Sequence, residues 1–239
     1  MMAVILAGGK GTRLKPFTVT VPKPLLPLGE IPIIEVVIRQ LAAFGFWRII
    51  LTLGHMHHLF RAYLADSARL GVSLEYCVED EPLGTVGPLR LIPNLEESFL
   101  VLNGDILTTL DFSVLLESHL RTGAWATIAV SQRQVVMDYG VVESDDEGWL
   151  RTYVEKPSIP YSVSMGINVL SRGSLQYIPE QGKFDMPDLM LTLLRAGKRV
   201  HCYRTNCYWQ DIGRLDDYDR ASADFAADPG RFLPNREAR

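Results

Sequence analysis

Short apolar runs alternate with segments of helical apolar spacing over the first 130 residues of the chain. The runs are bounded by glycine or polar residues and predict buried β-strands, whereas the helical spacing predicts amphipathic helices. The predicted strands lie at residues 3–6, 48–53, 72–78, 99–102 and 125–130. The predicted helices lie at residues 34–41, 56–64 and 111–121, the last with Asp111 as its N-cap. Strand–helix alternation of this kind is typical of βαβ units, with a mostly parallel sheet and helices on both faces.

The pattern changes after about residue 131. Two β-rich segments, at residues 139–143 and 149–154, flank an acidic turn and predict a hairpin. The remaining predicted elements are strands at residues 163–170, 200–203 and 208–210 and helices at 171–177, 185–195 and 215–225, with a frayed tail after Asp228. No Pro/Gly/Ser-rich linker separates the halves and no hexapeptide repeat follows them, so we predict one domain over residues 1–239 without a C-terminal β-helix. Its predicted class is α/β, a Rossmann-like three-layer α/β/α arrangement around an open, mixed and mostly parallel sheet.

Composition and charge narrow the class of partner. Of the 239 residues, 47% are hydrophobic and 22% are charged, which is ordinary for a globular domain. The 24 Lys and Arg against 28 Asp and Glu give a net charge of -4, which argues against general nucleic-acid binding but leaves room for a small cationic pocket. Three cysteines without CxxC spacing argue against a disulfide framework or a zinc knuckle, and no apolar run is long enough to span a membrane. We therefore expect a cytoplasmic protein with no nucleic-acid and no membrane partner.

A glycine-rich loop, LAGGKGTRL at residues 6–14, follows the first predicted strand. Three glycines within four positions let several backbone N–H groups point at one place, and such concavities bind phosphate. The alternative is an ordinary tight β-turn. The loop lacks the GxxxxGK[ST] pattern, and it fails the GxGxxG pattern because Leu14 stands where the third glycine is needed. Arg13 adds a fixed positive charge whose planar fork matches phosphate oxygens.

A lysine between two prolines follows this loop, in the segment PKPLLP at residues 22–27. Pro22 and Pro24 restrict the backbone, so we expect an extended segment that presents Lys23 on a stiff support. A surface lysine is the alternative interpretation. The rigid setting beside a phosphate-binding loop favours a phosphate contact for Lys23.

Two aspartates stand at the ends of predicted strands that are far apart in the sequence. Asp105 follows the strand at residues 99–102, and Asp211 follows the strand at 208–210. In open α/β sheets ligands bind beyond the carboxyl ends of the strands, so both carboxylates can meet over one hard cation. Mg²⁺ is usually held by one or two carboxylates together with substrate phosphates. Taken singly, each aspartate could instead belong to a turn or a helix cap.

The glycine-rich loop and the PKPLLP segment together resemble the sugar-1-phosphate nucleotidylyltransferase family, also called sugar nucleotide pyrophosphorylases. The resemblance extends from residue 2 to about residue 225. It implies the fold of nucleotide-diphospho-sugar transferases and a reaction in which a nucleoside triphosphate and a sugar 1-phosphate give an NDP-sugar and pyrophosphate. It also implies Mg²⁺ as cofactor, a nucleotide-binding part over about residues 1–130 and a sugar-phosphate-binding part over about 131–225.

The resemblance assigns roles to individual residues. Arg13 and Lys23 are expected to bind the triphosphate, and Asp105 and Asp211 stand where the family holds its metal. The residues expected to bind the nucleotide are Leu6, Ala7, Gly8, Gly9, Gly11, Thr12, Arg13, Lys23, Gly84 and Thr85. The residues expected to be catalytic are Arg13, Lys23, Asp105, Lys156 and Asp211.

The sugar side of the site is expected on the second half of the chain. Pro157 stiffens the exit from the strand at residues 149–154, directly after Glu155 and Lys156. By resemblance, Lys156 holds the sugar phosphate and Glu155 hydrogen-bonds sugar hydroxyls; an exposed Glu–Lys pair is the alternative. Gly140 stands where the family lets the backbone approach the sugar, and Asn168 is expected to reach a hydroxyl.

The sequence defines the nucleotide and the sugar less sharply than it defines the class of reaction. Residues 81–87 read EPLGTVG, and this version of the nucleotide-side loop is similar to that of mannose-1-phosphate and heptose-1-phosphate guanylyltransferases. We therefore expect GTP with mannose 1-phosphate or a similar sugar, with UTP, dTTP, CTP or ATP and another sugar 1-phosphate as alternatives. A non-catalytic sugar-nucleotide-binding regulatory subunit and a glycosyltransferase are alternatives of other classes, and a homodimer is expected only by analogy.

Overall fold

A mixed β-sheet with helices on both faces forms the centre of the structure, a computed structural model that describes residues 1–9 and 11–233. The strands are β1 (Met2–Leu6), β2 (Pro27–Leu28), β3 (Ile31–Pro32), β4 (Arg48–Leu53), β5 (Ser73–Val78), β6 (Ser98–Asn103), β7 (Ile106–Thr108), β8 (Ala126–Val136), β9 (Val141–Ser144), β10 (Leu150–Val154), β11 (Ser158–Ser171), β12 (Val200–Thr205) and β13 (Trp209–Asp211). The α-helices are α1 (Ile33–Ala43), α2 (His57–Tyr63), α3 (Phe112–Thr122), α4 (Met186–Arg195), α5 (Leu215–Ala227) and α6 (Pro229–Phe232). Short 3-10 helices lie at Thr12–Leu14, Phe17–Val19, Lys23–Leu25, Ser67–Leu70, Gly87–Leu91 and Arg172–Tyr177.

The strand order of the main sheet is β12-β8-β11-β6-β1-β4-β5. Strands β6, β1, β4 and β5 run parallel to their neighbours in this series, and β12 runs parallel to β8. Strand β11 is antiparallel to both β6 and β8, which makes the sheet mixed. The predicted α/β class with an open, mixed and mostly parallel sheet is therefore confirmed.

None of the helices that the structure describes combines the length and the apolar character of a membrane-spanning segment.

Alternate side chains of the central strands supply the two hydrophobic layers. In β1, Ala3 and Ile5 face one buried cluster, whereas Met2 and Val4 face the other. Helices α1 and α3 cover the first cluster, and α4 covers the second. Because β1 is buried on both faces, its sequence is an unbroken apolar run rather than an alternating one, as expected for a central parallel strand.

A third cluster joins the loops after β1 to the C-terminal helices. Leu14 and Leu26 pack there with Ile212, Phe225 and Phe232. This packing anchors the glycine-rich loop and the PKPLLP segment against α5 and α6, at the edge of the sheet where β1 ends.

The expectation of a frayed tail after Asp228 is wrong for the residues that follow it. Helix α6 forms there, and the Asp228 side chain accepts a hydrogen bond from the Arg231 N–H (3.1 Å). Phe232 is fully buried and packs against the rings of Phe225 and Tyr208. A short helix with one buried aromatic anchor gives too weak a periodic pattern to recognise in sequence. The part of the predicted tail at residues 234–239 lies outside the described residues.

Strands β8 and β11 extend well beyond the sheet as a two-stranded arm that also carries the β9–β10 hairpin. Their outer pairing runs from Ser158 opposite Val136 to Val163 opposite Ser131. The predicted hairpin is confirmed, but the predicted strands at residues 125–130 and 163–170 cover only the buried parts of β8 and β11. The outer parts are exposed and partly polar, so they carry no run of apolar residues.

A buried carboxylate ties α1 to the segment after α2. The Glu35 side chain is 0% exposed and accepts hydrogen bonds from Arg39 Nε (2.9 Å), the two terminal nitrogens of Arg69 (2.9 and 2.7 Å) and the Tyr63 hydroxyl (2.7 Å). Burial alone would raise the pKa of Glu35, but the hydrogen bonds from Arg69, Tyr63 and Arg39 outweigh it and lower the pKa to about 2. The folded state therefore favours the charged form of Glu35.

We expect Glu35→Gln to lower the free energy of unfolding by about 3 kcal/mol at pH 7, because it leaves two arginines and a tyrosine without their carboxylate. The contribution of Glu35 is fully present above its ordinary pKa of 4.5 and is lost as the pH falls towards the folded value of about 2. Urea denaturation should therefore show a difference in the free energy of unfolding between wild type and Glu35→Gln, and this difference should become smaller below pH 4.5. The exposed Glu30→Gln serves as the charge-matched control, and a difference independent of pH would contradict the assignment.

Candidate active site

The carboxyl ends of the parallel strands β1, β4 and β6 meet at one edge of the sheet, where a cavity of about 430 Å³ opens. Its lining residues are Leu6, Ala7, Gly8, Gly9, Gly11, Thr12, Arg13, Lys23, Pro24, Thr52, Glu79, Pro82, Gly84, Thr85, Asn103, Asp105, Asp185 and Gly213. Every residue predicted for the nucleotide side lies on this lining. Ligands of open α/β sheets bind at this end of the strands, so the position suits a nucleotide.

The described residues of the glycine-rich loop on both sides of position 10 line the cavity. Gly11 has a positive φ of 59° and starts the 3-10 turn Thr12–Leu14, whose buried Leu14 anchors it. The Thr18 hydroxyl donates a hydrogen bond to the Gly11 carbonyl (2.7 Å) and fixes the far side of the loop. A Cβ at Gly8 would lie 2.7 Å from Glu79 Oε1, so the loop passes close to the carboxylate that follows β5. The backbone is thereby held close to the cavity.

Lys23 lines the cavity from a 3-10 turn and not from an extended support. Residues Lys23–Leu25 form a 3-10 turn after Pro22, so the prediction of an extended segment is wrong. Pro22 itself is extended, and Pro24 at the second position of the turn has the φ that a helical turn requires. The whole residue Lys23 is only 6% exposed, and its ammonium group forms an ion pair with the Asp105 carboxylate. The interpretation of Lys23 as a surface lysine is therefore excluded.

A small antiparallel strand pair brings the two predicted metal ligands together. Strand β13 pairs with β7 so that Asp211 stands opposite Ile106, and the Ile212 N–H donates to the Asp105 carbonyl (3.0 Å). Burial raises the pKa of Asp211, and the charge of Asp105 raises it further, against the opposing charges of Lys23 and Arg13. The two carboxylates therefore repel one another across a site that holds two basic side chains.

This donor set fits a hard divalent cation. Asp105 and Asp211 offer carboxylate oxygens, and a Cβ at Gly213 would lie 2.9 Å from Asp211 Oδ2 and 3.5 Å from a terminal nitrogen of Arg13. The part of the chain that the structure describes holds no group of three or more His, Cys, Asp or Glu suited to a metal. Mg²⁺ commonly takes one or two protein carboxylates and completes its shell with water and substrate phosphates. The geometry suits a cation that shares its ligands with a phosphorylated substrate.

The residues predicted for the sugar side lie outside this cavity lining. Glu155 and Lys156 are exposed on the arm after β10, where Lys156 has a positive φ of 45° and Glu155 accepts a hydrogen bond from the Tyr153 hydroxyl (3.3 Å). Gly140 packs against both Tyr153 and Glu155, and a Cβ there would lie 3.0 Å from Glu155 Oε2. Asn168 is 3% exposed within β11, and its Oδ1 has no hydrogen-bond partner among the described residues. The structure thus groups Arg13, Lys23, Asp105 and Asp211 but leaves these four residues apart from them.

Two acidic residues of the cavity were missed by the sequence analysis. Glu79 directly follows β5, accepts a hydrogen bond from the Leu83 N–H (2.7 Å) and has its pKa raised by burial. The strand-end argument used for Asp105 applies equally to Glu79 and could have found it. Asp185 precedes α4, and no local pattern connects it to a loop that lies 100 positions earlier.

Residues 2–228 match the family described as nucleotidyl transferase, and the chain belongs to that family. It is 34% identical over 241 residues to the UTP–glucose-1-phosphate uridylyltransferase of Synechocystis sp., and the matched region covers 92% of this chain and 62% of the relative. It is 32% identical over 228 residues to the mannose-1-phosphate guanylyltransferase of Mycobacterium tuberculosis, covering 93% of this chain and 64% of the relative. The predicted family is therefore confirmed, while the chain spans less than two thirds of the length of these relatives.

Solved structures of similar fold support the same conclusion. HddC from Yersinia pseudotuberculosis superposes with a TM-score of 0.73 at 28% identity, covering 94% of this chain and 99% of that protein. The same protein has been solved in complex with GMP-PN. A putative glucose-1-phosphate thymidylyltransferase from Bacillus anthracis superposes with a TM-score of 0.74 at 25% identity, covering 93% of this chain and 94% of that protein. The predicted fold type, that of nucleotide-diphospho-sugar transferases, is confirmed.

Proposed function

We propose that this chain joins a nucleoside triphosphate to a sugar 1-phosphate, giving an NDP-sugar and pyrophosphate. The observation that carries the proposal is that Arg13, Lys23 and Asp105 line the cavity, with Asp211 close enough for its pKa to respond to all three charges. Two anionic substrates need this combination of cationic side chains and cation-binding carboxylates. The relatives in Synechocystis sp. and Mycobacterium tuberculosis are named for reactions of this kind.

In the proposed reaction a phosphate oxygen of the sugar 1-phosphate forms a bond to the α-phosphorus of the nucleotide. The bond from the α-phosphorus to the bridging oxygen of the β-phosphate breaks, and that oxygen leaves with the pyrophosphate. The attacking oxygen is already anionic, so no side chain has to act as nucleophile or general base. The protein has to align the two phosphates and offset their mutual repulsion.

Each residue of the site has a proposed part in this alignment. The backbone of Leu6, Ala7 and Gly8 borders the base and ribose, and Arg13 and Lys23 neutralise the departing pyrophosphate. Asp105 and Asp211 are the residues that would hold Mg²⁺, which when bound supplies positive charge shared between the substrate phosphates.

From the resemblance, we propose that residues of the arm and of β11 form the sugar side of the site. Lys156 would hold the phosphate of the sugar 1-phosphate, and Glu155 would accept hydrogen bonds from sugar hydroxyls. Gly140 would border the sugar next to Glu155, whose Oε2 lies 3.0 Å from the position that a Cβ would take at Gly140. Asn168 offers an unpartnered amide oxygen within β11.

We propose GTP as the nucleotide, with mannose 1-phosphate or a similar sugar as its partner. Glu79 lines the cavity near Gly8, at the end where the backbone after β1 would meet a base. Guanine presents adjacent N–H donors at N1 and N2, and a carboxylate accepts from both. Uracil and thymine present one N–H between two carbonyl oxygens, which a carboxylate repels. The relatives and similar structures include a guanylyltransferase and a GMP-PN complex of HddC beside a uridylyltransferase and a putative thymidylyltransferase, so the proposal of GTP depends on Glu79.

We expect Glu79→Gln to lower kcat/KM for GTP about tenfold or more and to raise the relative use of UTP or dTTP, since an amide can pair with a base that offers both donor and acceptor. The glutamine oxygen can still accept from the Leu83 N–H, so the loop is preserved. Steady-state kinetics with each triphosphate measure the ratio. The exposed Glu81→Gln is the matched control, and an unchanged GTP-to-UTP ratio in Glu79→Gln would refute base reading by Glu79.

The test of the proposed function is a panel of nucleoside triphosphates against several sugar 1-phosphates, with Mg²⁺ and continuous detection of pyrophosphate. We expect pyrophosphate only when both substrates are present, fastest with GTP. Binding of sugar nucleotides without any turnover across the panel would favour a regulatory subunit. Transfer of a sugar to an acceptor without pyrophosphate chemistry would favour a glycosyltransferase.

We further propose a cytoplasmic location and a homodimer. Cys77, Cys202 and Cys207 are all free in the described part of the chain, and a reducing compartment keeps such thiols free. The arm exposes large apolar side chains, including Tyr139 (82% exposed) and Trp149 (71%), and apolar surface of this kind often marks an interface. Light scattering of the purified protein would give its oligomeric state.

A further inference from the structure

The loop at residues 83–87, which faces the nucleotide side of the cavity, is joined to residues 184–186 at the start of α4. The Phe184 N–H donates to the Leu83 carbonyl (2.9 Å), and the Phe184 carbonyl accepts from the Val86 N–H (3.1 Å). These two segments lie in different halves of the chain. The backbone pairing therefore fixes the loop to an element that belongs to the predicted sugar-phosphate part.

Two side chains complete this junction in a reciprocal manner. Asp185 Oδ1 accepts a hydrogen bond from the Thr85 N–H (2.8 Å), and Thr85 Oγ1 accepts one from the Met186 N–H (2.7 Å). Both Thr85 and Asp185 line the cavity. We call the contacts between residues 83–87 and 184–186 the loop clamp. Its side-chain half lies on the cavity wall, beside the space that a nucleotide would occupy.

Gly84 shows that the clamp itself determines part of the loop sequence. Gly84 has a positive φ of 83°, and a Cβ there would lie 2.5 Å from the Phe184 carbonyl oxygen and 2.9 Å from Asp185 Oδ1. The crowding atoms belong to the clamp partner and not to open cavity space. The glycine is therefore needed for the loop to lie against residues 184–185, independently of any contact between Gly84 and a nucleotide.

We propose that Asp185 is a positioning residue for the nucleotide, acting by holding Gly84 and Thr85 in place on the cavity wall. This inference rests on the proposed function of the cavity. A loop that is already ordered loses less conformational entropy when the ligand binds, so the clamp raises nucleotide affinity without touching the reacting phosphates. Losing the Asp185 carboxylate frees the Thr85 N–H and loosens the wall, whereas the attack on the α-phosphorus is left unaltered.

The competing explanation is that Asp185 matters only as the N-cap residue of α4. Asp188 separates the two explanations, because its Oδ2 accepts from the Asp185 N–H (3.2 Å) in the first turn of the same helix. Asp188 does not line the cavity, and its side chain makes this contact to the helix start instead of the loop. Asp188→Ala therefore weakens the helix start and leaves the side-chain bonds between Thr85 and α4 in place.

The test is calorimetric binding of a non-hydrolysable GTP analogue to the full chain in the presence of Mg²⁺. We expect Asp185→Ala and Thr85→Val each to raise the dissociation constant roughly tenfold, as the loss of one or two hydrogen bonds predicts. Asp188→Ala should bind like wild type. Asp185→Asn and Thr85→Ser should recover most of the affinity, because each keeps an acceptor at the same position. In steady-state kinetics the KM for the nucleotide should rise in Asp185→Ala while kcat at saturation stays within about twofold.

Equal weakening by Asp188→Ala and Asp185→Ala, or wild-type affinity in both Asp185→Ala and Thr85→Val, would overturn the inference. Thr85→Val keeps the Asp185 side chain at the start of α4 and its bond from the Thr85 N–H, so the inference can still be refuted if Asp185→Ala does not fold. Wild-type protein that binds no nucleoside triphosphate at all would instead overturn the proposed function, and the inference with it. The two failures are thus distinguished by the wild-type arm alone.

Discussion

Asp105→Asn and Asp211→Asn are each expected to lower kcat roughly a thousandfold, the loss typical when a charge that stabilises the transition state is removed. Asparagine keeps the size of the side chain and takes away the negative charge that a divalent cation requires. Steady-state pyrophosphate release with saturating substrates measures the effect. The exposed Asp216→Asn, a few positions after Asp211, is the control and should retain full activity.

The stability of Asp211→Asn separates lost chemistry from lost structure. Burial and the charge of Asp105 both raise the pKa of Asp211, which means that the folded site disfavours its ionised form. Neutralising Asp211 at pH 7 should therefore leave the melting temperature unchanged or raise it. An inactive variant that is at least as stable as wild type supports a cation-binding role. Wild-type-like kcat in both variants would refute the assignment of these carboxylates.

Lys23→Met is the second change with a large expected effect. It should lower kcat/KM for the nucleotide about a hundredfold to a thousandfold, because losing a buried ammonium group beside the proposed phosphate site costs the transition state several kcal/mol. It also leaves Asp105 without its ion-pair partner, so the free energy of unfolding should fall by about 2 kcal/mol. Lys23→Arg should restore little activity, since the larger guanidinium group does not fit a site in which Lys23 is only 6% exposed.

The exposed Lys15→Met, in the segment between the glycine-rich loop and Lys23, is the control for net charge. Steady-state kinetics and thermal denaturation should show reduced kcat/KM in Lys23→Met and Lys23→Arg and reduced stability in Lys23→Met. Lys15→Met should match wild type in both measurements. A Lys23→Met protein that keeps a third or more of the wild-type kcat/KM would show that Lys23 serves the ion pair with Asp105 alone.

The parts of the fold that the sequence predicted are those with buried, regularly spaced apolar residues. Strand β4 was predicted with its observed bounds, and α3 begins after its predicted cap, because Asp111 accepts hydrogen bonds from the N–H groups of Ser113 and Val114. The outer arm and α6 were missed or shortened because their stability comes from pairing and from single anchors such as Phe232. Local periodicity does not record contacts of that kind.

The candidate site shows the same division. The glycine-rich loop, Lys23 and the two strand-end aspartates could be found because each follows a recognisable local pattern. The turn at Lys23–Leu25 could not, since the same prolines permit either an extended segment or a 3-10 turn, and packing of Leu26 against the third cluster accompanies the turn. Asp185 could not be found because its contact with Thr85 spans 100 positions and exists only in the folded chain.

We propose that the nucleotidyl group is transferred directly to the sugar phosphate at the Lys23–Asp105–Asp211 site. The decisive experiment uses a sugar 1-phosphate labelled with ¹⁸O at its three non-bridging phosphate oxygens, reacted with GTP and Mg²⁺ in unlabelled water. Mass spectrometry should find all three labels in the NDP-sugar and none in the pyrophosphate. Label in pyrophosphate or in free phosphate, or an NDP-sugar that lacks part of the label, would contradict the account.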